Sequence, residues 1–227
     1  MNNKLDHIAL ILDGNKRWAK KNNVTNFHGY SKGFENIKNL VNYCLSLKLS
    51  NLTIFALSSE NYNRSSINTI YEIIYNNFSN TLNQLVKNDG VKINIFGLRD
   101  NLPKKIINIF EKIENISSNN NTLNLNIAFN YGFKDEIKFI LKNIQDNKKL
   151  LNLETDQEIK NLFYLGKIAD PDLLIRTGGH QRLSNFIMYN LTYTELFFTK
   201  TLWPDFSENE LKSIINKYNE IDRKYGL

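Results

Sequence analysis

Short apolar runs alternate along this chain with longer segments in which apolar residues recur every three or four positions. His7–Leu12, Asn51–Leu57, Val91–Gly97, Leu123–Phe129 and Asp172–Ile175 have the length and apolar density of buried strands. Between the first two, residues 31–48 place Ile37, Leu40, Val41, Cys44 and Leu45 at i, i+3, i+4, i+7 and i+8. That spacing predicts a helix with one buried face and puts Cys44 in the core. A second long helix is predicted over 67–87, and a third over 104–116, opened by Pro103; 132–147 and 209–225 supply two more. The polar run 117–122 is rich in asparagine and reads as a loop. Strands alternating with helices predict an α/β fold: one domain over 1–227, with a central, mostly parallel sheet covered on both faces. Sheets of this kind carry their ligands beyond the carboxyl ends of the strands, so the segments that follow the strands are the ones to read closely.

Composition narrows the class. Apolar residues make up 41% of the chain and aromatics 12%, enough for a packed core. No run reaches the roughly 18–20 apolar residues of a spanning helix. Lys4, Asp6 and His7 lead straight into a strand-like run, unlike a secretory signal, so the expected location is cytoplasmic, with at most a peripheral membrane contact. A single cysteine excludes an internal disulfide and a multi-cysteine metal site. The net charge of +6 points to anionic partners. The arginines sit in glycine turns at strand ends and not along a helical stripe, so nucleic acid is not the expected partner.

Three strand ends carry candidate chemistry. The first runs into Asp13-Gly14-Asn15-Lys16-Arg17-Trp18. Asp13 could hold Mg²⁺, which takes a few hard oxygen ligands together with substrate phosphate, while amides at a helix start and Arg17 could take phosphate oxygens. Asp and Asn equally suit a plain helix cap. The second ends in Ser58-Ser59-Glu60-Asn61-Tyr62-Asn63-Arg64, more polar side chains than a connecting loop needs. The third drives into Arg176-Thr177-Gly178-Gly179-His180-Gln181-Arg182-Leu183-Ser184-Asn185. Paired glycines allow amides to turn inward around an anion, and Arg176, Arg182 and Ser184 add donors at the same place. Glu195 stands among Tyr193, Leu196, Phe197 and Phe198 and reads either as one half of a salt bridge or as a metal ligand.

Together these segments resemble the undecaprenyl diphosphate synthase family of cis-prenyltransferases. The resemblance runs from His7 to Gly226 and rests on Asp13-Gly14-Asn15 with Arg17-Trp18-Ala19, Ser58-Ser59-Glu60-Asn61, Asn130-Tyr131-Gly132, Arg176-Thr177-Gly178-Gly179, Arg182-Leu183-Ser184-Asn185 and Leu202-Trp203-Pro204-Asp205-Phe206. It implies a homodimer with a hydrophobic tunnel, and condensation of isopentenyl diphosphate with an allylic diphosphate, farnesyl diphosphate first among candidates. It implies Asp13 as the catalytic Mg²⁺-linked carboxylate, Gly14, Asn15, Lys16 and Arg17 as the allylic diphosphate cradle, and Arg176, Arg182, Leu183 and Ser184 as the isopentenyl diphosphate site. Glu195 becomes a metal ligand near that second site. Trp18, Ser58, Ser59, Glu60, Tyr62 and Arg64 complete the pocket, with the positions of Asn26 and Tyr30. Family members assign proton removal to the position of Asn61; an unaided amide is a poor base, so Asn61 is read as orienting substrate or relaying the proton. A lipid product implies membrane-surface contact. Tyr71, Ile74, Tyr75, Phe78 and Leu82 read either as tunnel wall or as ordinary core; Ala56 leaves room in a pocket wall and Leu123 is placed deep in the tunnel, which favours a long product.

The chain departs from the family where Asn26 replaces the usual Arg, Tyr30 the usual His, Tyr62 Trp, Ser65 Pro, and His180 Glu. Two phosphate donors are lost from the allylic side, with His28 and Lys32 near enough in sequence to compensate. Lys224 stands in place of a terminal family arginine. The alternatives are a non-catalytic partner subunit of the same family, against which Asp13, Asn61 and Arg176 argue, and a Mg²⁺-dependent phosphohydrolase, whose second acid two residues on is replaced by Asn15.

Overall fold

In the computed structural model, residues 4–61, 67–78, 84–86, 90–146 and 153–222 are described. The apolar runs become strands β1 (His7–Ile11), β2 (Asn51–Ser58), β3 (Val91–Phe96), β4 (Leu123–Tyr131) and β5 (Leu173–Arg176), and a further strand, β6 (Glu195–Phe198), lies beyond them. All are in one sheet of order β3-β4-β2-β1-β5-β6, and every neighbouring pair is parallel. β6 is absent from the predicted strands because it spans four residues, none of them fully buried, at the sheet edge.

The helices are α1 (Asn15–Lys21), α2 (Asn26–Ser46), α3 (Ile67–Ile73), α4 (Lys104–Ser117), α5 (Phe133–Asp146), α6 (Asp156–Lys160) and α7 (Glu208–Asn219). α2 begins five residues before the apolar period predicts. Thr25 caps it, its hydroxyl accepting the His28 amide at 3.2 Å. The early turns contain Gly29 and Gly33, poor helix formers that close packing requires: a Cβ at Gly29 would stand 2.6 Å from the Asn15 carbonyl oxygen and 2.9 Å from the Ala19 Cβ. α3 gives way to a π-helical turn, Ile74–Phe78, which shifts the side-chain phase of the predicted stripe.

Alternation along the strands splits the core. One face of the sheet carries Ile8, Leu10, Leu52, Ile54, Leu125, Ile127 and Ile175 against α2, α3, α4 and α7; the other carries Ala9, Ile11, Phe55, Phe96 and Ala128 against Tyr131, Leu165 and Phe186. Cys44 lies wholly in the first core, and burial pushes its thiol up to about 12, so it is packing and not a nucleophile. Among the described residues, no helix is long and apolar enough to cross a membrane.

A buried polar row crosses the second face. Asn94 donates to Asn126 (3.0 Å), Asn126 to Thr53 (3.3 Å), and Thr53 faces His7 Nε2 at 2.7 Å. His7 Nδ1 faces the Ala169 carbonyl at 2.6 Å; a carbonyl only accepts, so the proton sits on Nδ1 and Nε2 accepts from Thr53. Burial lowers the His7 pKa to about 4, against the opposing pull of Asp172, Asp170 and Asp6. The folded protein therefore binds fewer protons than the unfolded chain below pH 6.5, and this stability, complete above 6.5, is lost as pH falls toward 4. From pH 7 to pH 5 the expected loss is about 2 kcal/mol. Urea unfolding at the two pH values checks it: His7→Gln should remove most of that pH-dependence whatever its own stability, and an unchanged slope would free His7 of this role.

Candidate active site

Register brings the three predicted segments together. Ile11 lies opposite both Phe55 and Arg176, so the ends of β1, β2 and β5 are neighbours. From β1 the chain adds β2 beside it, crosses to the edge strand β3, fills the gap between them with β4, then passes to the other side of β1 with β5 and β6. The crevice at that reversal is where such folds bind ligands.

Asp13 stands two residues past β1 with its backbone tied on several sides. Its amide donates to the Ile11 carbonyl (3.0 Å) and the Thr177 hydroxyl oxygen (3.0 Å); its carbonyl accepts from the Thr177 hydroxyl (2.8 Å) and the Trp203 amide (3.1 Å). Two guanidiniums hold its carboxylate, Arg17 Nη2 on Oδ1 at 3.0 Å and Arg176 Nη2 on Oδ2 at 2.9 Å. Arg17 Nη1 also donates to the Gly178 carbonyl (2.6 Å), and Arg176 Nη1 to Ser184 Oγ (2.7 Å) and the Arg182 carbonyl. The Arg176 side chain is 4% exposed and that of Arg17 45%. One is built into the wall; the other can turn toward a ligand. The buried Arg176 Nε has no hydrogen-bond partner, leaving a donor available to an anion.

Gly178 has φ +84°, and a Cβ there would lie 2.5 Å from Arg17 Nη2 and 2.9 Å from the Asp13 carbonyl oxygen. Glycine is required by both backbone and space. The expected inward-turned glycine amides are not found: Gly178 N donates to the Thr201 carbonyl and Gly179 N to that of Thr199, each at 2.7 Å. The anion donors of this loop are side chains.

A polar pocket of about 450 Å³ collects Asp13, Gly14, Asn15, Lys16, Arg17, Tyr30, Ser58, Glu60, Asn61, Arg176, Arg182 and Ser184, with His180 joining them. Four Lys and Arg side chains face two carboxylates in it, the charge balance that phosphorylated ligands need. An apolar cavity of about 80 Å³ adjoins it and shares Leu12, Asn15, Tyr30, Ala56 and Ile70 with it. Ala56 reaches this junction because β2 slips register between Phe55 and Leu57, a bulge that leaves it out of the ladder. Deeper, the cavity is lined by Ile37, Ile54, Ile73, Ile74, Ile127 and Phe129.

Other predicted site residues lie elsewhere. Trp18 donates its indole N–H to Asp205 (2.6 Å) and stacks on His28, outside the pocket lining. His28 is thereby engaged, and Lys32 pairs with Glu35 (3.4 Å) and lines a separate groove; neither lines the polar pocket. Asn26 is exposed at the start of α2. Ser59 turns to Asp135, and Leu183 packs on the second core. Glu195 pairs with Leu173 at the opposite end of β6 from Phe198, the neighbour of Arg176. Three residues of strand, roughly 10 Å, separate those levels, so the chain does not bring Glu195 to Asp13. Leu123 is core and not cavity wall; of the predicted stripe, Ile74 lines the cavity and Tyr71 and Tyr75 do not. Tyr62, Arg64, Ser65 and Lys224 fall outside the described residues, as does Leu82. Thr177 received no role from sequence, although a hydroxyl between a buried arginine and a glycine pair was the available signal.

The family model described as "Putative undecaprenyl diphosphate synthase" matches residues 11–226. The chain belongs to the undecaprenyl diphosphate synthase family. As such it is a cis-prenyltransferase. It is 37% identical to the isoprenyl transferase of Aquifex aeolicus, over 97% of this chain and 95% of that one. It is 34% identical to the tritrans,polycis-undecaprenyl-diphosphate synthase (geranylgeranyl-diphosphate specific) of Pyrobaculum aerophilum, with coverage of 97% and 95%. Its fold matches the crystal structure of lavandulyl diphosphate synthase from Lavandula x intermedia in complex with dimethylallyl diphosphate, at a TM-score of 0.88, 30% identity and 98% coverage of both chains.

Proposed function

We propose that the protein joins isopentenyl diphosphate to an allylic diphosphate, with farnesyl diphosphate as the leading starter, and that it does so with Mg²⁺. One observation carries this reading: a cationic pocket large enough for phosphorylated head groups adjoins, across five shared lining residues, an apolar cavity whose lining suits the first part of a hydrocarbon tail. Lys16 and Arg17 bind the allylic diphosphate on one side of Asp13, and Arg176, Arg182 and Ser184 bind isopentenyl diphosphate on the other. The alkene of isopentenyl diphosphate attacks the allylic carbon as its C–O bond breaks, the diphosphate leaves with the electron pair, and a proton is lost to an oxygen acceptor. Arg17 and Arg176 stabilise the charge that develops on the leaving group. Asn61, in the pocket wall, orients the attacking isopentenyl diphosphate or relays its proton.

The donor set suits a metal carried by its substrate. Among the described residues no group of three or more His, Cys, Asp or Glu side chains could cage an ion, and both Asp13 oxygens already face guanidiniums. Mg²⁺ commonly uses one or two carboxylates together with substrate phosphates, which Asp13 can supply. Bound there, it would neutralise charge on the departing diphosphate. Tyr30, at the junction of the two cavities, borders the first carbons of the tail in place of the phosphate contact that the family's usual His makes.

A homodimer is also proposed. β6 is one of the two edge strands of the sheet, and near it Leu196, Met188 and Tyr193 stay exposed, the last at 61%. The lipid product supports transient membrane contact. The test of function is incubation with labelled isopentenyl diphosphate and allylic starters of increasing length, with Mg²⁺ or excess chelator. Mg²⁺-dependent, starter-dependent chain extension supports the reading; release of inorganic phosphate without extension overturns it.

A further inference from the structure

The loop after β2 and the loop after β5 bring the two sides of the reaction together, and both are held to the start of α5. Ser59 Oγ donates to Asp135 Oδ2 at 2.6 Å. Asn185 accepts the Lys134 amide on Oδ1 (2.9 Å) and the Phe133 amide on its carbonyl (2.8 Å), while its Nδ2 reaches Glu60 Oε1 at 3.4 Å. The three segments meet over Gly132, where a Cβ would lie 2.6 Å from Ser59 Oγ, 2.7 Å from Asn185 Nδ2 and 3.0 Å from Asp135 Oδ2. A side chain at 132 would have to displace these three polar groups, so Gly132 lets them meet. Ser184 and Asn185 both adopt positive φ, +51° and +64°, a backbone that non-glycine residues hold only when their surroundings impose it.

We propose that Asp135 is a positioning residue for the condensation: its carboxylate, through Ser59, fixes the turn 59–61 that carries Asn61, while its neighbours Phe133 and Lys134 fix Asn185 and the loop of Arg182 and Ser184. Its place at the amino end of α5 favours the ionised form. The Ser59 hydrogen bond, with Lys138 3.2 Å from the other oxygen, lowers its pKa. A carboxylate held this way accepts a short, strong hydrogen bond, and one strained loop is set against the other through a single helix start. Asp135 does not line the pocket, so its effect passes through Ser59.

This inference rests on the proposed function only for its kinetic readout. The experiment compares Asp135→Ala, Asp135→Asn, Ser59→Ala and the double variant Ser59→Ala/Asp135→Ala. Thermal unfolding identifies any general loss of fold. Asp135→Ala should lower kcat at least about tenfold, the value of one charge-assisted hydrogen bond, with KM for the allylic diphosphate changed less than about threefold. Asp135→Asn keeps an acceptor for Ser59 and should stay within about threefold of the parent. The double variant should be no slower than the slower single variant, because the two changes break one bond. Hydrogen exchange over 57–61, followed on the same proteins, should rise about tenfold in Asp135→Ala and stay near the parent in Asp135→Asn. Parent-like kcat or parent-like exchange in Asp135→Ala, equal losses in the Ala and Asn variants, or multiplicative losses in the double variant would overturn the proposal. An inactive parent whose exchange pattern still behaves as stated overturns the reading of function and leaves the tie between the loops standing.

Discussion

Replacing Asp13 by alanine or by asparagine is expected to lower turnover at least about 10³-fold while the protein stays folded. The group sits where the two anion-binding sides meet, with a guanidinium on each oxygen. On the function proposed above, its negative charge orients Arg17 and Arg176 before substrate arrives and would supply the hard oxygen for a phosphate-borne Mg²⁺, so its loss should remove a preorganised electrostatic element. Asparagine keeps the shape and loses the charge, which is why both variants should fail alike. The backbone bonds of Asp13 do not involve the carboxylate, so the loop should keep its path, but the buried Arg176 loses an ion-pair partner and some loss of melting temperature is expected. Steady-state rates in the presence of Mg²⁺, with thermal unfolding as the control, decide the matter. Near-parental turnover in either variant would remove Asp13 from the mechanism.

Arg176 should prove almost as costly, and lysine should not replace it. Its guanidinium spans Asp13, Ser184 and the Arg182 carbonyl at once, from a buried position. A lysine places one ammonium where that fork makes three contacts, and a strongly hydrated ammonium is poorly suited to a dry wall. Arg176→Lys is expected to lower kcat/KM for isopentenyl diphosphate about 10²-fold, and Arg176→Ala about 10³-fold. The alanine variant should also lose stability, because Asp13 and Ser184 lose a buried partner. Rates within about twofold of the parent for Arg176→Lys would mean that charge alone is needed there, and that the fork has no function.

Much of this was legible in the chain because the sheet is parallel. Strands buried on both faces are plain apolar runs, and the chemistry then stands directly after them, at Asp13, Ser58 and Arg176. What stayed hidden depends on pairing between distant segments. β6 is recognisable only once β5 offers it an edge, and α2 reads as too short because residues 26–30 fall outside the apolar period and are set by the Thr25 cap and by the packing of Gly29 on α1. Polar residues of the quoted motifs did not all face one way. Trp18 is held by Asp205 and Ser59 by Asp135, partners 187 and 76 residues away, and no local pattern announces bonds of that range. The paired glycines do form a special turn, both at positive φ, but Gly178 is there to admit Arg17 and Asp13, while the two amides serve the Thr199 and Thr201 carbonyls.

On the proposed function, one allylic diphosphate lies with its head group beside Asp13 and its tail in the apolar cavity. A crystal structure with a non-reactive allylic thiodiphosphate and Mg²⁺ tests that placement directly. The diphosphate should lie on Gly14–Arg17, with the ion between it and Asp13 and the hydrocarbon passing Tyr30 and Ala56 toward Ile54 and Phe129. A head group seated on Arg176–Ser184 instead, or a tail lying outside that cavity, would contradict the account.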